Sequence, residues 1–343
     1  MKVLSFVIPA YNSQKYLDKC LGSLLSKDII NDIEIIVVND GSTDNTAEIA
    51  SAYCEKYPET VKLISQENKG HGGALNTGCA AATGKYLKVI DADDWVETEN
   101  LTLFVNYLKN CNSDVILTHH YTINESTGEV KKWKSYPEKF YAPLSFDYVV
   151  DNFGSFDRSL TFHGITYNTE FYHKHNYKLL EKVFYEDHEY STFPCCFANS
   201  VEVFDMFIYD YRIGDVSQSV SEENQLKRLS HTEAVLNRFI EQYKKLANKN
   251  SSVEKFVCYK AKILLLSYIS TVLLVEKNKK QGRKLADTIM ELFKTEMPLV
   301  FDLAFKQYKI FRIMNIIHIN SKTFEKLLSS KIYRKLKGTH DFN

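Results

Sequence analysis

Two hydrophobic periods alternate along the first third of the chain. VLSFVIP is a nearly continuous apolar run, and SQKYLDKCLGSLL then repeats Tyr16, Leu17, Cys20, Leu21, Leu24 and Leu25 at helical spacing. The alternation continues. IEIIVVND predicts a strand, STDNTAEIASAYCEKY a helix with Ser42 or Thr43 as its N-cap, and VKLISQ a strand. GGALNTGCAAAT predicts a small-residue helix ended by Gly84, YLKVID a strand, ETENLTLFVNYLKNC a helix and SDVILTH a strand. Strands and helices joined by short connections imply an α/β fold whose mostly parallel sheet is covered on both faces. In such sheets ligands bind beyond the carboxyl ends of the strands.

The pattern changes twice further on. From about Tyr121 to Ser221 the chain is aromatic and irregular, which predicts short strands and loops. From about Glu222 it is helical almost throughout, over Asn224 to Ala247, Val253 to Lys277, Gln281 to Thr295 and a set of C-terminal helices, with Pro298 starting or separating one of them. These shifts divide the chain into residues 1–221 and a helical region of residues 222–343. The longest late apolar run, Ile263 to Val275, is interrupted by serines and a threonine and flanked by Lys260, Lys262 and Glu276. Its length falls short of a bilayer and predicts a buried helix. MKVLSFVIPAYN predicts a first strand rather than a signal peptide.

Composition adds exclusions. Lys plus Arg and Asp plus Glu both number 43 in 343 residues, so no overall field points to nucleic acid. The seven cysteines are odd in number and form no CxxC pair, which argues against a disulfide framework or a structural zinc and for a reducing, cytoplasmic setting. The C-terminus departs from this balance. Lys306, Lys309, Arg312, Lys322, Lys326, Lys331, Arg334, Lys335 and Lys337 interleave with apolar residues such as Ile310, Ile313, Ile317 and Phe324, against the single acid Glu325. Such a stretch either lies on an anionic leaflet, at the inner face of the membrane, or presents one face to a core and a basic face to solvent.

Three polar clusters fall at predicted strand ends: PAYN (Pro9 to Asn12), NDGSTDNT (Asn39 to Thr46) and DADD (Asp91 to Asp94). Asp40 directly follows a buried strand, where it either accepts a hydrogen bond from a ligand N–H, such as the imide of uracil, or serves an ordinary turn. Asp91, Asp93 and Asp94 repel one another beside an apolar strand, so a positive group is expected there. A divalent cation answers that need, since Mg2+ takes one or two carboxylates plus substrate phosphates. The other reading is a helix start, where acids complement the macrodipole.

As an ordered set, SFVIPAYN, IIVVNDGSTDNT, ENKGHGGALNTG and YLKVIDADD resemble the family 2 inverting glycosyltransferases of the bacterial surface-polysaccharide type, closely over roughly the first hundred residues and more loosely to about Ser221. The resemblance implies the GT-A nucleotide-sugar fold, a Rossmann-like mostly parallel sheet, here followed by a C-terminal helical region. It implies a hexosyl- or N-acetylhexosaminyl-transferase that moves a sugar from a UDP-sugar to a hydroxyl of a glycan or polyprenyl-linked acceptor, assisted by Mn2+ or Mg2+. By family position Pro9, Ala10, Tyr11 and Asn12 border the nucleobase, Asp40 holds the uracil imide, and Gly70, Asn76 and Ala92 line the donor site. Asp91 contacts the ribose or sugar, and Asp93, with Asp91, binds the metal. FYEDHEYS supplies Asp187 as the general base, with Glu186 beside it, and YDYRIGDVSQSVS supplies Arg212 for the diphosphate and Ser217 and Ser219 for a closing loop. FHGITYNTEFY, with His163 and Gly164, is expected to shape the acceptor or sugar pocket. The family's Arg after the glycine-rich turn is Leu75 here, with His71 or Lys88 as compensating cations. The C-terminal helices are expected to contact acceptor, membrane surface or a second copy.

Two other classes fit the sequence less well. A nucleotidyltransferase also places metal-binding carboxylates on an α/β sheet, but VIPAYNSQKYL lacks the glycine-rich basic loop that triphosphates require. A non-catalytic nucleotide-sugar-binding or scaffold protein is disfavoured by the presence of Asp40, Asp91, Asp93 and Asp187 together.

Overall fold

A strand buried on both faces belongs at the centre of a parallel sheet, and every residue of β1 (Leu4–Ala10) and β2 (Ile33–Asp40) is buried. The computed structural model describes residues 1–135, 142–215, 222–246, 251–320 and 323. Between the two strands α1 (Leu17–Leu24) turns Leu17, Cys20, Leu21 and Leu24 inward, matching the spacing in the sequence. There follow α2 (Thr46–Lys56), β3 (Val61–Gln66), α3 (Gly70–Ala81), β4 (Tyr86–Val89), β5 (Trp95–Val96), α4 (Thr98–Asn110) and β6 (Val115–Asn124). The middle of the chain adds β7 (Val130–Trp133), β8 (Leu144–Ser145), α5 (Phe146–Asp151), α6 (Phe153–Phe156), β9 (Ile165–Asn168), α7 (Thr169–His175), α8 (Asp187–Tyr190) and β10 (Ser200–Ile213).

These strands form one sheet in the order β3-β2-β1-β4-β9-β6-β10-β5, with β7 on β6 and β8 on β10. β3, β2, β1 and β4 run parallel, as do β6 and β10. The short β9 lies antiparallel between β4 and β6, so the sheet is mixed while its longest pairings are parallel. The carboxyl ends of β1, β2 and β4 therefore open on one edge, and the three polar clusters lie there. The core on one face joins Phe6, Ile8, Leu17, Leu21, Ile35, Val37, Tyr86, Phe104 and Tyr209.

Several local expectations need correction. The N-cap of α2 is Asn45, not Ser42 or Thr43, because Asp44 Oδ1 accepts from the Thr46 N–H and hydroxyl and sets the turn one residue later. α3 stops at Ala81, where Ala82 turns extended, ahead of Gly84. Gly84 serves a close approach instead, since a Cβ there would sit 2.7 Å from Ser5 Oγ. The irregular middle holds a 14-residue strand, β10, as well as loops.

The described residues fall into two compact units, one of residues 1–218 with 247–257 and the other of 219–246 with 258–343. The helices are α9 (Glu222–Lys227), α10 (Leu229–Lys244), α11 (Ser252–Ser270), α12 (Lys279–Glu296) and α13 (Pro298–Ile316). The single helix expected from Asn224 is interrupted at Arg228, whose φ of −108° and ψ of 22° leave the helical region; Ala247 lies outside the described residues. Asn278 caps α12 by accepting from the Gln281 N–H at 3.1 Å, and Pro298 opens α13, where its missing N–H costs nothing. The Ile263 to Val275 run is longer than its sequence suggested. It ends a continuous helical stretch, Ser252–Val275, of 24 residues, long and apolar enough by composition to cross a membrane, yet 67% of its most apolar window is buried inside the structure, as in a core helix.

Candidate active site

The loops after β1 and β2 are stitched together by side chains. Asn12, at φ 50°, accepts from the Thr43 N–H at 2.9 Å, and its own N–H donates to Ser42 Oγ at 3.1 Å. Ser13 N–H donates to Thr46 Oγ1 at 2.7 Å and Gln14 N–H to Asp44 Oδ2 at 3.1 Å. The result is one platform on which Pro9 and Ala10 are buried backbone and Tyr11 stands 53% exposed. Asp40 closes its back: it is 2% exposed, and its Oδ1 accepts from Gln66 Nε2 at 2.7 Å and from the Lys69 N–H at 2.9 Å. Gly41, at φ 73°, lets the chain turn where a Cβ would come within 2.9 Å of Asn68 N.

The acid turn follows β4. Tyr209, fully buried on β10, organises it: the Asp91 N–H donates to the phenol oxygen at 3.1 Å, and the phenol donates to Asp94 Oδ2 at 2.6 Å. Asp94 Oδ1 accepts from the Arg212 N–H at 2.7 Å, so both oxygens of this buried carboxylate are used. Burial, then the charges of Asp93 and Asp91, push its pKa well above the ordinary range. Asp94 is therefore a structural member of the turn, and Asp91 and Asp93 are the half-exposed members. Ligand oxygens of the three lie within 4.8 Å of one another. Ala92, between the two, is buried.

Two cations meet these acids. Arg212, 3% exposed, donates from Nη2 to Asp93 Oδ2 at 2.6 Å and from Nε to the Asp93 carbonyl at 3.2 Å. Its guanidinium also reaches Glu125 Oε2 at 3.3 Å and stacks 3.9 Å over the Tyr16 ring. Burial raises the pKa of Asp93 and the charge of Asp91 adds to this, against the pull of Arg212. The second cation is His71. Its Nε2 lies 2.8 Å from Asp91 Oδ1 and its Nδ1 2.5 Å from Glu186 Oε1. Each ring nitrogen is within hydrogen-bond distance of a carboxyl oxygen, an arrangement that an imidazolium satisfies by donating from both. Burial alone would lower its pKa, but the charges of Asp91 and Glu186 outweigh that and hold it well above the ordinary value.

The glycine-rich turn brings His71 there. Gly70 has φ 76°, and a Cβ on it would meet Lys182 N at 2.8 Å. A Cβ on Gly72 would meet Leu180 O at 2.1 Å and Glu186 Cγ at 2.8 Å, so only glycine lets α3 touch the 180–186 segment. Asn76 clips the same segment: its amide donates to the Leu179 carbonyl at 3.0 Å and accepts from the Leu179 N–H at 2.9 Å. That amide is thus spent on backbone. Leu75 is buried, and Lys88 is not its substitute. Lys88 is buried and donates to the His163 and Ile165 carbonyls at 2.7 and 3.3 Å, with burial lowering its pKa to about 7. The cation that reaches the acids from α3 is His71.

Glu186 and Asp187 open α8, after Tyr185 at φ 74°. Glu186 is 2% exposed, and burial raises its pKa despite His71. Asp187 is half-buried. Burial, then the charges of Asp94, Asp91, Asp187 and Asp93, raise the pKa of Tyr211 on β10. His163 stacks on Tyr211 with ring centroids 4.3 Å apart. The sequence singled out the acids, Arg212 and His163, but missed Tyr209, Tyr211, Glu125 and Tyr16. The alternating aromatics of YDYR are the only trace of the first two. Ser217 and Ser219 lie outside the described residues.

Comparison with known proteins bears on the family and the fold. Residues 5–204 match Glycosyl transferase family 2. The putative glycosyltransferase EpsH of Bacillus subtilis is 28% identical over 305 residues, 84% of each chain. Glycosyltransferase GlyA of Streptococcus pneumoniae is 36% identical over 145 residues, 41% of this chain but 20% of GlyA, and the matched part spans 42% of GlyG from the same organism. The chain thus spans less than half of these two relatives. Among solved structures, S. aureus TarS 1–349 in complex with UDP-GlcNAc superposes with a TM-score of 0.62 at 19% identity, over 92% of this chain and 89% of that one, a likeness of fold. An open α/β sheet of GT-A type, acids at its strand ends and a match covering residues 5–204 lead to one assignment: the chain belongs to glycosyl transferase family 2.

Proposed function

We propose that the protein transfers a sugar, with inversion, from a UDP-sugar to a hydroxyl of a glycan or lipid-linked acceptor, with Asp187 as general base. The observation that carries this reading is the bridge His71 makes between Asp91, next to Asp93 in the acid turn, and Glu186, next to Asp187. A single displacement needs this pairing. The donor's anomeric carbon sits between a leaving diphosphate and an incoming hydroxyl, and one carboxylate must take the hydroxyl proton as the new C–O bond forms and the C–O bond to phosphate breaks. Asp187 is assigned that proton. Glu186, buried and held by His71, is assigned to positioning.

The donor's uracil is assigned to the platform of Pro9, Ala10, Tyr11 and Asn12, with the Tyr11 ring for stacking and Asp40 for the imide. That TarS is described with UDP-GlcNAc supports UDP as the nucleotide. Asp91 faces the ribose or sugar. The hard oxygens of Asp93 and Asp91 suit Mg2+ or Mn2+, which would supply Lewis-acid relief of charge on the diphosphate. Arg212 lies on Asp93, where its planar fork is close to the diphosphate position. The reading assigns catalysis to residues 1–221 and acceptor, self-association or inner-membrane contacts to residues 222–343, in the cytoplasm.

A thermal-shift panel of nucleotide sugars with and without Mn2+ tests the donor assignment. Uridine diphosphate sugars are expected to raise the melting temperature, more so with metal, as ligands of the native state do. Indifference to all of them, alongside a response to a purine nucleotide sugar, would contradict it.

A further inference from the structure

His71 joins two carboxylates that lie 20 and 115 residues away in the chain. Gly70 and Gly72 on either side of it leave no space for a Cβ against Lys182, Leu180 and Glu186, so this turn packs directly on the 180–186 segment. Its ring is also packed on Phe162, with centroids 5.7 Å apart. The two N–H donors of an imidazole diverge in one rigid plane, so the ring sets both the separation and the direction of the carboxylates it bridges. A lysine presents a movable point charge and an amide a single donor group, so neither sets that geometry. Glu186 is 2% exposed, and its Oε1 is held by the His71 ring. The next residue is Asp187.

We propose that His71 is a positioning residue for transfer, a rigid clamp that fixes the turn carrying Asp187 against the donor-facing Asp91 by way of Glu186. The proposal rests on Asp187 being the base. Asp91 retains its own carboxylate when His71 is removed, so donor binding survives, whereas the base loses its registration with the sugar. Displacements of about 1 Å at this distance from the chemistry cost about 10²-fold in rate.

The test compares the native chain with His71→Gln, His71→Ala, Glu186→Gln and the double variant His71→Ala/Glu186→Gln. Turnover of a UDP-sugar, calorimetric UDP affinity and melting temperature are measured for each. The clamp predicts that kcat falls by about 10²-fold in both His71 variants while UDP affinity stays within about threefold. It also predicts that the double variant is little slower than His71→Ala alone, since both changes break one device. If His71→Ala does not fold, His71→Gln, which keeps an amide donor, carries the comparison. A kcat within about twofold of native overturns the proposal, as does a loss of UDP affinity equal to the loss of turnover, or full additivity with Glu186→Gln. A native chain that turns over no UDP-sugar defeats the functional reading itself. A native chain that is active while His71→Ala is undiminished defeats the clamp alone.

Discussion

The Ser5 hydroxyl, the Thr83 N–H and hydroxyl, the Gly84 N–H and the Lys62 ammonium all donate to the carboxylate of Glu34, at 2.6 to 3.1 Å. Burial would raise its pKa, but these donors outweigh burial and hold it down to about 2. A carboxyl whose pKa is depressed on folding contributes stability above its unfolded value and loses it as pH falls toward the folded one. Glu34 therefore contributes about 3 kcal/mol at neutral pH, lost between about pH 5 and pH 2. The expected outcome is that Glu34→Gln lowers the melting temperature at pH 7 and flattens its decline on acidification. A variant with the native acid profile would show that Glu34 has no such role. Nothing in IEIIVVND distinguishes this glutamate, because its donors come from β1, β3 and the turn before β4. The same holds at the site. The sequence marks Asp91, Asp93 and Asp187 as acids at strand or helix ends and asks for a positive charge. The answers in the fold, His71 and Arg212, are contacts across 20 and 119 residues that no local pattern encodes.

At the scale of elements, legibility follows regularity. β1, β2 and α1 are read from the sequence because burial makes their periods complete. β10 is not, because its pairing with β6 shifts register between Val203 and Phe207 and again before Tyr209, which breaks the period of two. β9 is only four residues long, too short for a period to show, so the antiparallel join in the sheet is invisible beforehand. The helical end was legible as helix but not in its breaks. α13 carries a testable consequence. Ile310, Ile313 and Ile316 are exposed, as is Ile317 just past the helix end, and the exposed Lys306 and Lys309 lie on the same helix. Part of the basic amphipathic stretch seen in the sequence, residues 321–322 and 324–337, lies outside the described residues. An anionic membrane surface suits what is described. Cosedimentation with phosphatidylglycerol vesicles is expected, weakened about tenfold or more by the pair Ile313→Glu and Ile317→Glu, because burying charge offsets the apolar contact. Equal sedimentation of the double variant would remove the membrane assignment from α13.

For the whole molecule, alternation of strand and helix sufficed to place three polar clusters on one edge of a sheet, since parallel topology fixes where strand ends point. It did not suffice to bring Glu186, the neighbour of Asp187, to them by way of His71. That depends on the glycine-rich first turn of α3 admitting the 180–186 segment at contact distance, and on Asn76 clipping it. The central claim is that these two halves act on one bond. The most direct measurement is release of UDP from a panel of UDP-sugars in Mn2+ or Mg2+, by the native chain and by Asp187→Asn. The account predicts release by the native chain with at least one donor, and a loss of about 10²-fold or more in the variant at unchanged UDP affinity. Release by Asp187→Asn at the native rate, or none by the native chain with any donor and either metal, would contradict it.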